Sequence, residues 1–124
     1  MEDQLSYKVI GCAFKVYNRL GPGLLESVYE RILVYELEKA GFDVETQVPI
    51  EIKYDDLVVE DCFRLDILVN KQLIIELKSV EETKPVHFKQ LLTYLKLTDI
   101  KVGLLINFNV SNLQDGIHRV VNNY

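Results

Sequence analysis

The 124-residue sequence predicts a mixed α/β fold of the α+β kind: two N-terminal helices, a three-strand meander, a third helix and then further strand. Three observations predict it. Apolar residues recur three and four apart over residues 4–40 and again over 85–97, the period of a helix with one buried face. Residues 42–78 between them alternate, or run apolar, between turn-forming residues, as strands do. The order of elements allows antiparallel pairing within the meander and parallel pairing after the third helix.

The first helix is expected over Gln4 to Leu20, where Leu5, Val9, Cys12, Ala13, Val16 and Leu20 form the apolar stripe and Asp3 suits the N-cap. Gly21-Pro22-Gly23 stops it, because glycine accepts a left-handed backbone and proline cannot continue a helix. A second helix is expected from beside Gly23 to Ala40, with Leu25, Val28, Tyr29, Ile32, Leu33, Leu37 and Ala40 inward and Gly41 ending it. Phe42 to Tyr54 then reads as a strand with Val44, Thr46, Val48, Ile50 and Ile52 on one face, and Pro49 asks for an edge position or a bulge. Asp55-Asp56 turn the chain into a strand over Leu57 to Val69, irregular near Glu60-Asp61. A turn near Asn70-Lys71 leads to a third strand, Leu73 to Lys78.

Pro85 opens a helix to about Leu97, with Val86, Phe88, Leu91, Leu92 and Leu95 inward. Lys101 to Asn107 reads as a buried strand, Ser111-Asn112-Leu113 as the start of a short helical turn, and the segment after Gly116 as a last strand. With no linker, repeat or low-complexity segment, residues 1–124 are expected to form one domain.

Composition excludes several classes of function. No apolar run approaches the ~20 residues of a membrane span, and Met1-Glu2-Asp3-Gln4 is acidic where a secretory leader is basic, so a cytoplasmic protein is expected. Cys12 and Cys62 lack ligand spacing and read as reduced thiols, and His87 and His118 are too isolated for a zinc site. The net charge of −5 argues against non-specific adhesion to nucleic acid. That acidity is regional: eight acids face only Lys53 and Arg64 between Asp43 and Asp66, whereas Lys84, His87, Lys89, Lys96 and Lys101 follow later.

The chemistry concentrates in Asp66 to Lys78. Side chains two apart on a strand point the same way, so Glu76 and Lys78 share a face, and the hairpin brings Asp66 beside them. The trio reads either as a strand ion pair, Asp66 with Lys78, beside a solvated Glu76, or as a charged site that a cation completes, since clustered carboxylates repel. Glu26 in a first helical turn suits the helix dipole, and Gln90 and Tyr94 lie four apart on one helix face.

Taken in order, Glu26, Asp66, Glu76-Leu77-Lys78 and Gln90-Leu91-Leu92-Thr93-Tyr94 resemble the PD-(D/E)XK nuclease superfamily in the variant with a Q-x-x-x-Y helix. Gly23-Leu24-Leu25-Glu26-Ser27-Val28-Tyr29 resembles, more narrowly, the GxxExxY signature of a group of short proteins placed there. Further matching blocks are Tyr17-Asn18-Arg19-Leu20-Gly21, Gln47-Val48-Pro49-Ile50 and Leu105-Ile106-Asn107-Phe108. The superfamily's Pro-Asp pair stands here as Leu65-Asp66.

The resemblance implies a restriction-endonuclease-like core and metal-dependent hydrolysis of phosphodiesters in nucleic acid, DNA foremost. It implies Mg²⁺ or Mn²⁺ held by Asp66, Glu76 and the Leu77 carbonyl, with Glu26 holding the ion's water or a second ion. Lys78 would orient the attacking water, and Gln90 and Tyr94 would brace the site or the phosphate. A groove around DNA could require a homodimer or a protein partner. The alternative implied is a module of the same fold that binds metal or nucleic acid without cutting.

Overall fold

The computed structural model describes the backbone of residues 2–122 and the side chains of residues 4–122. Helix α1 spans Glu2–Leu20 and α2 Glu26–Lys39; strands β1 (Val44–Tyr54), β2 (Leu57–Val69) and β3 (Leu73–Lys78) follow, then α3 (Pro85–Thr98), β4 (Val102–Asn107), a 3-10 turn (Leu113–Gly116) and β5 (Ile117–Val121). The strands form one sheet in the order β1-β2-β3-β4-β5. The meander is antiparallel, β3 and β4 are parallel across the α3 crossover, and β5 returns antiparallel. This is the mixed sheet the sequence predicts.

Two apolar layers enclose the sheet. α1 and α2 cover one face, where Tyr29, Leu33 and Leu37 meet Ile67, Ile75, Leu77, Leu104 and Phe108. α3 covers the other, where Leu91, Tyr94 and Leu95 meet Ile50, Leu65, Ile74 and Leu105. Consecutive residues of β3 and β4 feed opposite layers, which is why both strands are largely apolar up to Glu76, Lys78 and Asn107.

The turns follow their residues. Asn70 and Lys71 both take positive φ, 51° and 56°, in the β2–β3 hairpin, and Asp55 (54°) does so in the β1–β2 hairpin. β1 is an edge strand, which accommodates Pro49. The expected irregularity near Glu60-Asp61 is a bulge: Ile50 pairs with Phe63 but Ile52 with Val59, so one residue of β1 opposes three of β2.

Four expectations are corrected. The first helix already includes residues 2 and 3, so Asp3 lies within its first turn, where an acid suits the dipole, instead of capping it. α2 begins at Glu26, after Gly21 and Gly23 have taken positive φ, and its buried face is Tyr29, Leu33, Glu36 and Leu37. Leu25, Val28 and Ala40 are exposed because that face is turned toward α1, where Glu36 pairs with Lys15 at 3.5 Å. Val86, in the first turn of α3, is exposed, and buried Tyr94 takes its place on the inward face. On β1, Val44 joins the α1/α2 layer whereas Val48 and Ile50 join the α3 layer. The changeover falls at Gln47, whose backbone is left-handed (φ 51°), and β2 changes layers at the same level between Leu65 and Ile67.

Candidate active site

β2 and β3 pair from Val69↔Leu73 to Ile67↔Ile75 and then part. At the next level stand Asp66 and Glu76, whose carboxylates take over the backbone groups that the ladder releases. Glu76 Oε2 accepts the Asp66 N–H at 2.9 Å, and Asp66 Oδ2 accepts the Leu77 N–H at 2.9 Å. Each acid is thus fixed by the other's strand. One oxygen of each, Oδ1 and Oε1, is left for another ligand.

Glu76 lies two residues after Ile74 and so points to the α3 side, where it is 7% exposed. Burial, then the neighbouring Asp66, pushes its carboxyl up to about 8. Burial also raises Asp66, against the opposing pull of the Leu77 amide and of Lys78. Lys78 is half-buried and lowers both acids from a distance: among the described residues no ion pair joins it to either, so the direct Asp66–Lys78 strand pair is not formed.

Glu26 is exposed beyond the end of β3, and its charge raises both acids. Its Oε2 accepts the Ser79 N–H at 3.3 Å, and Ser79 Oγ donates to the Leu24 carbonyl at 2.6 Å, stitching the entrance of α2 to the strand. Tyr29 secures the same entrance. Its hydroxyl donates to the Gly21 carbonyl at 2.6 Å and accepts the Leu24 N–H at 3.2 Å, while its ring stacks on Phe108 at 4.3 Å. A cleft of about 350 Å³ opens there, lined by Leu24, Leu25, Glu26, Ser27 and Ser79.

From α3, Tyr94 packs against Phe63 with ring centroids 5.1 Å apart. Its hydroxyl is pushed up to about 12 by burial and by the fields of Glu76 and Asp66. Gln90, one turn earlier, is exposed, and among the described residues it makes no hydrogen bond to the carboxylates. Glu26, Asp66, Glu76, Lys78 and Tyr94 are therefore brought together electrostatically, and Gln90 stands at the rim of their helix.

The histidines and cysteines serve elsewhere. His87 Nδ1 accepts the Lys84 N–H at 3.0 Å at the start of α3, and His118 lies edge-on to Phe88. Cys12 and Cys62 are free thiols.

Comparison with known proteins gives the arrangement its place. A family model of the PD-(D/E)XK nuclease superfamily matches residues 3–120. The chain belongs to the PD-(D/E)XK nuclease superfamily. No curated protein matches it. Among solved structures, the crystal structure of SSO0001 is similar, with a TM-score of 0.58 and 23% identity over 79% of this chain. The chain spans about half of that protein's length, 50%, and the likeness is one of fold.

Within this PD-(D/E)XK chain, sequence reasoning gave no role to three residues around the acids. Ser79 binds Glu26. Gln47 of β1 donates from Nε2 to Glu30 Oε1 at 2.9 Å and helps to draw the Asp66 carboxyl down. Glu30 feels the field of Asp66. Glu30 stands one helical turn after Glu26, and Gln47 opens the matching block Gln47-Val48-Pro49-Ile50, although nothing in the alternation of β1 marks it.

Proposed function

We propose that the chain is a metal-dependent nuclease that hydrolyses phosphodiesters of nucleic acid, DNA foremost, at Asp66, Glu76 and Lys78. The observation that carries this reading is the reciprocal clasp of Asp66 and Glu76 where β2 and β3 part. It fixes two carboxylates side by side at the mouth of the sheet, each with an oxygen to spare.

The donor set fits a hard divalent cation. Asp66, Glu76, the Leu77 carbonyl and Glu26 offer oxygen alone, which suits Mg²⁺ or Mn²⁺. Among the described residues no three acidic, histidine or cysteine side chains form a ready cage. Mg²⁺ keeps several waters and is commonly held by one or two carboxylates. When bound, such an ion polarises the phosphoryl oxygens and acidifies a water.

This chain's residues do the rest. Lys78 donates a hydrogen bond that orients the attacking water and offsets the charge gathering on the phosphate. Glu26 holds a water of the site through the oxygen that Ser79 leaves free. Tyr94 stays protonated far above neutral pH and so acts as a donor, and Gln90 is set to reach the substrate's phosphate from the rim. On this reading residues 1–124 form one domain of the GxxExxY group, cytoplasmic and active alone, as a homodimer or with a protein partner.

The test is incubation of purified protein with single-stranded, double-stranded and branched DNA and with RNA, in Mg²⁺, Mn²⁺ or chelator. Chelator-sensitive cleavage is expected, reduced about 100-fold or more in Glu76→Gln and in Lys78→Ala. Cleavage that persists in both variants removes the proposal. Cation binding without cleavage of any substrate would assign the chain to the non-cutting module instead.

A further inference from the structure

Gln47 is the residue the site does not explain by strand pattern. It sits in an eleven-residue strand with φ 51°, a conformation that costs a residue with a side chain about 1–2 kcal/mol. Pairing runs Thr46↔Ile67 and then Val48↔Leu65, skipping Gln47 and Asp66. The Gln47 amide donates to Glu30 Oε1 at 2.9 Å, and Gln47 stands opposite Asp66 at the skipped level, where it helps to draw that carboxyl down.

An amide nitrogen carries two hydrogens in one plane. Committing one to Glu30 fixes where the other points. The Leu77 N–H holds Asp66 at Oδ2, and the second Gln47 hydrogen is left for the carboxylate that stands opposite it in the register. Glu30 is anchored on α2, one turn beyond Glu26, so the brace on Gln47 runs from helix to edge strand.

We infer that Gln47, braced by Glu30, is a positioning residue that sets the orientation of the Asp66 carboxylate toward the cation. This rests on the metal-dependent reading above. Orienting partners of a ligating carboxylate are worth about 10–100-fold in metal affinity. The strained backbone serves that end: an extended residue here would restore the alternation and turn the amide away.

The test measures Mn²⁺ affinity by calorimetry, alongside thermal melting, in wild type, Gln47→Gly, Gln47→Asn and Asp66→Asn. Glycine suits the left-handed backbone and deletes only the amide. Asparagine tolerates the same backbone but is one methylene too short to span both acids. Both Gln47 variants are expected to keep or raise the melting temperature while weakening Mn²⁺ about 10-fold or more. Wild-type affinity in both overturns the inference while leaving the metal site standing. Mn²⁺ binding that is absent in wild type, or unchanged in Asp66→Asn, overturns the metal reading itself and this inference with it.

Discussion

At the scale of single residues, Glu76 is the group whose proton decides most. Folded, it titrates near 8; its ordinary value is 4.5. Between these values the folded chain holds a proton that the unfolded chain has released, so the raised pKa works against the fold as pH rises. In chelator, stability is expected to fall from about pH 4.5 to about pH 8 and level off above. Asp66, also raised, adds in the same sense. Urea denaturation at about pH 6 and about pH 9 should differ by on the order of a few kcal/mol, with the protein weaker at the higher pH. Glu76→Gln should remove most of that slope, and Mn²⁺ should close the gap at high pH. Equal stability at both pH values in chelator would show that Glu76 is already ionised in the folded chain.

At the scale of elements, the entrance of α2 decides whether Glu26 stands at the site. The N-cap, Leu25, supplies no side-chain cap, so the Tyr29 hydroxyl and Ser79 do the fastening. Tyr29→Phe keeps the stack on Phe108 and loses two hydrogen bonds, at an expected cost of about 1–3 kcal/mol. Phe108→Ala also opens a void and should cost about 3–5 kcal/mol. Chemical denaturation of both variants checks the order, and a larger loss for Tyr29→Phe would contradict it. Element positions were largely legible in the chain, because helical period, Pro85, Gly41 and the Asn70-Lys71 turn are local signals. Helix rotation was not. Leu25 and Val28 fit the apolar stripe, yet the buried face turned toward Glu36, whose partner Lys15 lies on another helix. The site divided the same way: acids in register on adjacent strands could be foreseen, whereas Gln47 acts through a local backbone reversal that an alternating pattern conceals.

At the scale of the whole molecule, charge is arranged as two regions. The β1–β2 hairpin beyond the bulge is acidic and exposes Tyr54, Leu57, Val58 and Val59, while Lys84, Lys89, Lys96 and Lys101 lie on and around α3. Glu60 stands roughly 15–20 Å along β2 from Asp66, more than a Debye length at physiological salt and less than one at about 0.01 M. The triple variant Asp55→Asn, Asp56→Asn, Glu60→Gln should therefore bind DNA several-fold more tightly at low salt and no differently at physiological salt. Fluorescence anisotropy at both salts measures this; a gain that persists at the higher one would mean that the hairpin touches the nucleic acid.

The clasp between Asp66 and Glu76 also bears on how inert versions of this chain are built. Truncating either acid to alanine would leave an amide hydrogen with no acceptor in a dry place, a penalty of about 1–3 kcal/mol each. Asparagine and glutamine keep a carbonyl oxygen where the lost acceptor was. On the nuclease reading, a decoy meant to trap an uncut substrate is best made with those isosteres; on the non-cutting reading, the fold still has reason to keep both side chains as rungs.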